Sequence, residues 1–357
     1  MSWVKGIEKE TEKIFCYPES AETPPDREWI YLDKNENHFL SKSYLERVIS
    51  RCIREVDLRR YPVEEEVRFK EELCNFLSVS PTNVVMGNGC SDLINILCHT
   101  FLREGSEAVV VEPTFSMYRW NIERQRARLL VSYLKDDFSL TPSAVTSRMS
   151  KNSRLCFISS PNNPTGNKFG LDEILEIGLA LPGLLAVDET YVEFSDGSCI
   201  DLLGKLENLV ILRSFSKIGF AGIRLGYAIT TPRIASLLKK FIRPYSIDSL
   251  SLRMGIEILG DYEPVRRAYG ALTSERQRFE SELKTITGVT PYPSQTNFIL
   301  IKLDKDTVLI SRRLKDKGII VKDLHDYPLL YNHLRVTVGT PEMNEVFLSG
   351  LRRVMES

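Results

Sequence analysis

The sequence predicts an α/β protein in two domains, a large one on a mostly parallel, seven-stranded-type sheet and a smaller α+β one. Three observations carry that expectation. From Pro81 to about Thr230, short apolar runs alternate with helical or loop segments, the pattern of a parallel sheet covered on both faces. Beyond about Arg243 the texture changes to long charged helices interspersed with apolar runs. Several small-residue, polar stretches follow directly on apolar runs, and the carboxyl ends of parallel strands are where an open sheet collects its ligand. The expected division is an N-terminal arm over 1–30, the N-terminal part of the small domain and a linker over 31–60, the large domain over 61–242 and the C-terminal small domain over 243–357.

The opening residues are polar, aromatic-dotted and proline-bearing (FCYPESAETPPDREW), as suits an arm laid over a neighbour. NVVMGNG reads as a strand and a glycine turn, and SDLINILCHTFL as the helix it opens, with Ser91 or Asp92 near the cap. AVVVEP, LLVSYL, LCFISS, LLAVDE, LVILRS and LGYAIT read as further strands, and LDEILEIGLAL, after PNNPTGNKFG, as a helix. Later, SLRMGIEIL and ALTSERQRFESELKTI read as helices, NFILIKL as a strand, VLISRRLKDKG as a helix, and IIVKD and LRVTV as strands. Residues around Ile30 to Asp33 are expected to complete this smaller unit.

Composition narrows the function. A chain of 357 residues, 43% hydrophobic and 27% charged, can bury two substantial cores. Net charge is −1 with the signs interspersed, so no basic field recommends nucleic acid or an anionic membrane, and small-molecule chemistry becomes the default. The seven cysteines are scattered and include no CxxC pair, which argues against a disulfide framework or a zinc site and for a reducing, cytoplasmic setting. No apolar run reaches membrane-spanning length, and the start MSWVKGIEKETEK is too charged for a signal peptide.

The chemistry sits at strand ends. GNGCSD follows NVVM, PNNPTG follows LCFIS, Asp188 ends LLAVD, and Ser214, Ser216 and Lys217 follow LVIL. Taken singly, each has a bland explanation: a turn, loop punctuation, a capping aspartate, a solvated lysine. GNG is not a dinucleotide fingerprint, because the third glycine of GxGxxG would fall at Asp92. Together they specify something narrower. A lysine near an acid, hydroxyls and Arg224 offers an amine for a Schiff base, a carboxylate for a pyridinium nitrogen and donors for a phosphate, which is the equipment of a pyridoxal 5'-phosphate site. Backbone N–H groups at the helix start after Gly89 add to the phosphate donors.

The series LDKNENH, RYP, GNGCSD, EPTFSMY, SSPNNPTG, VDETYVEF, RSFSKIGFAGIRLGY, QTNFILI and LRVTVGTPEMN, in that order along almost the whole chain, resembles the fold-type I class I/II aminotransferases, and within them the histidinol-phosphate aminotransferase family. The resemblance implies that Lys217 holds pyridoxal 5'-phosphate and moves the substrate proton, that Asp188 pairs with the pyridine nitrogen, and that Asn163 and Tyr191 hydrogen-bond the ring oxygen. Phe115 stands where the family usually has a stacking tyrosine. Cys90, Ser91, Ser214, Ser216 and Arg224 are implied to hold the phosphate, and Tyr61 to reach it from the neighbouring subunit of a homodimer with a shared site.

On the substrate side, Arg335 alternates with Leu334 and Val336 along LRVTV and so faces away from the apolar residues. By resemblance it grips the carboxylate of an amino-acid substrate, with Lys322, Asn35 and Tyr17 as further substrate-binding residues. Lys322 replaces a common arginine, His38 a common proline, and the SID of Ser246 to Asp248 a common NVN. The implied reaction is amino transfer between histidinol phosphate and 2-oxoglutarate. Threonine-phosphate decarboxylation, to which KDLHDYPLL bears some likeness, amino transfer from an aromatic amino acid, and non-catalytic cofactor binding are the alternatives.

Overall fold

The structure, a computed structural model, describes residues 2–12 and 28–356. Tyr17 lies outside the described residues. Among the described residues, twelve strands run β1 Ile30–Leu32, β2 Val84–Gly87, β3 Glu107–Glu112, β4 Arg128–Tyr133, β5 Ser153–Ser159, β6 Leu184–Asp188, β7 Leu209–Ser214, β8 Gly226–Thr230, β9 Val289–Pro291, β10 Phe298–Leu303, β11 Ile319–Asp323 and β12 His333–Thr337. They form a seven-stranded sheet, β2-β8-β7-β6-β5-β3-β4, and a five-stranded one, β1-β11-β12-β10-β9. In the large sheet only β8 runs against its neighbours, pairing antiparallel with β2 and β7. All seven apolar runs expected as large-sheet strands form it.

Apart from the edge strand β4, those strands read as continuous apolar runs because both faces are buried. Along β5, Cys156 and Ile158 enter one core while Leu155 and Phe157 enter the other. Along β7, Leu209 and Ile211 alternate with Val210 and Leu212 in the same way. The small sheet has its own core, in which Phe298, Ile299 and Ile301 meet Phe279 and Phe347 from helices Glu263–Leu283 and Pro341–Glu356. β1 pairs in parallel with β11, so Ile30–Leu32 edge the small sheet.

Helices Lys42–Glu55, Val63–Leu77 and Ser249–Gly260 pack together against the large-sheet core, through Tyr44, Val48, Phe69, Leu252 and Ile256. The expected small domain at 243 therefore begins with a helix packed on the large unit, and the small core takes over within Glu263–Leu283. Asp248 caps Ser249–Gly260, its Oδ1 accepting from Ser251 N at 2.9 Å and its Oδ2 from Ser251 Oγ at 2.6 Å. That accounts structurally for an aspartate at the end of SID. Among the described residues, no helix is long and apolar enough to cross a membrane.

Candidate active site

Asp188 ends β6 and is 4% exposed. Its Oδ2 accepts from Tyr118 Oη at 2.7 Å; its Oδ1 accepts from Thr190 Oγ1 at 2.5 Å and Thr190 N at 3.0 Å. Burial raises its pKa, and the hydroxyl and amide donors oppose that shift. Neither Tyr118 nor Thr190 is among the residues the sequence singles out. Tyr118 stacks on Phe157 of β5 at 4.7 Å and meets Phe115 edge-on at 5.7 Å, so the β3–β5–β6 neighbourhood delivers its hydroxyl to the acid.

Lys217 follows β7 in a tight helical loop and is partly exposed. Its Nζ donates to Lys34 O at 3.0 Å and lies 6.0 Å from the Tyr191 ring centroid. Surrounding protein, then the Arg335 charge, lower its pKa to about 8, which makes the free amine accessible near neutral pH. A lysine with that amine, beside a buried acid, is suited to covalent carbonyl chemistry and proton transfer.

An anion cup adjoins it. Ser214 Oγ donates to Ser216 Oγ at 2.9 Å, and Ser216 N donates back to Ser214 Oγ at 3.1 Å. Arg224 sits in the left-handed region at φ 53° with its guanidinium against Gly89, where a Cβ would lie 2.8 Å from Nη2. Gly89 itself has φ 80° and precedes helix Cys90–Phe101, whose first turn lies against Gly226 so closely that a Cβ there would stand 2.8 Å from Cys90 N. Hydroxyls, a guanidinium and a helix N-terminus converge, a donor set that fits a phosphate. The Cys90 thiol donates to Arg213 O at 3.2 Å, which leaves its backbone N–H for the cup. Ser91 occupies the next position of the same first turn.

The two domains meet over Tyr191, whose ring packs edge-on to Phe298 of β10 at 5.3 Å and whose hydroxyl oxygen accepts from Asn35 Nδ2 at 2.9 Å. Asn35 is 1% exposed, at φ 55°, and is fixed by Thr337 Oγ1 and Asn297 Nδ2. Its amide thereby orients the Tyr191 hydroxyl. Arg335, on β12, donates through Nη1 to Asn163 Oδ1 at 2.6 Å and through Nη2 to Asp33 O. That bond orients the Asn163 amide so that its NH2 end is left to donate. Lys322 is the registered partner of Arg335 across β11–β12, which sets two cations side by side on one face. Tyr61 stands apart, 74% exposed with its ring stacked on Tyr245 at 4.6 Å.

A buried acid, a lysine amine and an anion cup at the carboxyl ends of a doubly covered sheet, closed by an arginine from a second domain, are groups suited to a carbonyl-bearing phosphate ligand beside a second anion. The comparisons with known proteins are more specific. The family model for aminotransferases of class I and II matches residues 27–351, and the chain belongs to that family. It is 34% identical to a histidinol-phosphate aminotransferase of Chromobacterium violaceum, over 91% of this chain and 92% of that protein. It is 37% identical to histidinol-phosphate aminotransferase 1 of Carboxydothermus hydrogenoformans, over 91% and 93%. The solved histidinol-phosphate aminotransferase of Sinorhizobium meliloti, in complex with pyridoxal-5'-phosphate, superposes with a TM-score of 0.85 over 94% of this chain and 95% of that one; at 22% identity this likeness speaks to the fold.

Proposed function

We propose that the chain is a pyridoxal-phosphate-dependent aminotransferase that moves an amino group between histidinol phosphate and 2-oxoglutarate, in the cytoplasm, as a homodimer with shared sites. The observation that carries the reading is the convergence of Lys217, Asp188 and the Ser214–Ser216–Arg224 cup, read with relatives of that name matched along nine-tenths of the chain. Free cysteines at Cys52, Cys74, Cys90, Cys98, Cys156 and Cys199 suit a reducing compartment.

When bound, the cofactor supplies an aldehyde for an amine and a ring that accepts the electrons left when a proton leaves the substrate Cα. The chain's residues do the rest. Lys217 Nζ would hold the aldehyde and, when free, carry the proton, a role its lowered pKa favours. Asp188, kept in place by Tyr118 and Thr190, would pair with the ring nitrogen and keep it protonated. Asn163 and Tyr191 would donate to the ring oxygen, Phe115 would cover the ring face, and the helix start at Cys90 and Ser91, with Ser214, Ser216 and Arg224, would anchor the phosphate. Arg335 and Lys322 take the substrate anion, and Tyr61 of each subunit completes the other's cup.

The test is to mix the purified protein with pyridoxal phosphate, then separately with histidinol phosphate, threonine phosphate and aromatic amino acids. Conversion of the cofactor to its amine form by histidinol phosphate, reversed by 2-oxoglutarate, is the expected result. Carbon dioxide released from threonine phosphate with histidinol phosphate inert replaces the proposal by a decarboxylase. Borohydride reduction followed by mass spectrometry should place the adduct on Lys217, and an adduct on another lysine overturns the site.

A further inference from the structure

Arg213, the penultimate residue of β7, carries no role in the reading above. Its Nε and Nη2 donate to Glu189 Oε2 at 3.0 and 2.9 Å, and Nη2 also donates to Ser198 Oγ at 2.7 Å. The pair is enclosed, the guanidinium side chain 12% and the Glu189 side chain 1% exposed. Glu189 also accepts from Ser198 Oγ and Cys199 N, while Glu193 and Tyr227 flank the guanidinium. Position in the chain gives the pair its meaning. Glu189 directly follows Asp188, and Arg213 directly precedes Ser214. The Arg213 carbonyl accepts from the Cys90 thiol, and Thr190 Oγ1, which donates to Asp188, lies 3.4 Å from that sulfur. One residue thus touches the acid-bearing strand end with its side chain and the phosphate helix with its main chain, while standing next to the serine of the cup.

We propose that Arg213 and Glu189 are a positioning pair that holds the Asp188 strand end, the Ser214–Lys217 loop and the start of helix Cys90–Phe101 in one register, so that a single rigid ligand meets acid, amine and anion cup at once. The inference rests on the proposed pyridoxal phosphate site. Burying two charges in this way is weak as a source of stability, since a well-packed apolar pair often serves as well, whereas the forked geometry fixes two strand ends relative to each other. A binding constellation loosened by a fraction of an ångström loses affinity for a rigid ligand before it loses its fold.

The experiment uses the full chain stripped of cofactor, with Arg213→Lys and Glu189→Gln. Three quantities are read: the melting temperature of the stripped protein, the dissociation constant for pyridoxal phosphate by visible absorbance, and the pH midpoint of the bound cofactor's visible band. Weakening by roughly 10- to 100-fold with a displaced midpoint is expected, because at similar volume Arg213→Lys removes the planar fork and Glu189→Gln removes the charge and one of the two acceptor oxygens that serve Arg213 and Cys199 N. Melting lowered with unchanged cofactor affinity and midpoint reduces the pair to a structural ion pair and overturns the proposal. Should either variant fail to fold, Ser198→Ala removes one bond from the same network; its affinity should fall in the same direction by a smaller factor, and unchanged affinity there overturns the proposal equally. If the unaltered protein does not bind pyridoxal phosphate, the cofactor reading itself fails, and this one with it.

Discussion

The hydroxyl of Tyr118 donates to Asp188 Oδ2 at 2.7 Å from a ring stacked nearly flat, at 6°, on Phe157. Tyr118→Phe keeps that stack and removes only the donor. A hydrogen bond to a charged group contributes about 1.5–3 kcal/mol, so turnover should fall roughly 10- to 100-fold with little change in melting temperature. Steady-state kinetics beside a thermal melt checks this, and an unaltered kcat shows that Thr190 alone suffices to place the acid.

Lys217 gives a pH dependence whose sign can be worked out. Its folded pKa, lowered to about 8, lies below the ordinary lysine value of 10.5, so between those limits the unfolded chain binds more protons than the folded one. Stability of the cofactor-free protein should rise with pH across that window, the burial of the charge being unfavourable below about pH 8 and relieved as the amine is neutralised. Denaturant midpoints at pH 7.5, 9 and 10 measure it, and the component due to this residue should vanish in Lys217→Met.

Arg335 should matter in both half-reactions, because one anion site has to accept the phosphate of histidinol phosphate and then a carboxylate of the oxo acid. Arg335→Ala should lower kcat/KM by about one to two orders of magnitude with each substrate in single-turnover experiments. Arg335→Lys should recover only part, since the fork that reaches both Asn163 and Asp33 is lost with the guanidinium. Equal rates for wild type and Arg335→Ala in either half-reaction contradict a shared anion site.

Tyr61, exposed within its own chain, is the test of assembly. Inactive Lys217→Ala and strongly impaired Tyr61→Ala proteins, mixed under conditions of verified subunit exchange, should regain activity in heterodimers that carry one intact site. No recovery argues against sites shared between subunits.

The strands of the large sheet were legible because burial on both faces leaves unbroken apolar runs, and the candidate chemistry was legible because its small-residue loops follow those runs. What escaped was lateral. PTFSMY directs attention to Phe115, yet the hydrogen bond to Asp188 comes from Tyr118, one helical turn on; only the order β3-β5-β6 brings that turn above the acid. Nor does the sequence show that the adjacency of the helix start to β7 turns the Cys90 thiol to Arg213 O, so that its main-chain N–H is what faces the cup. The short strand Val289–Pro291 and the packing of Ser249–Gly260 on the large unit depend likewise on neighbours far away in the chain.

By itself, then, the sequence determined the alternation of strands and helices, the lysine, acid and anion-binding loops at strand ends, and the ordered motifs of an aminotransferase, because periodicity and local turn chemistry are properties of neighbouring residues. Only the tertiary structure decided which groups share a hydrogen bond: Asn35 with Tyr191, Arg335 with Asn163, Arg213 with Glu189. Those partners stand on different strands or in different domains, and a side chain's partner, its protonation and its freedom to bind a ligand are set by what the fold packs beside it.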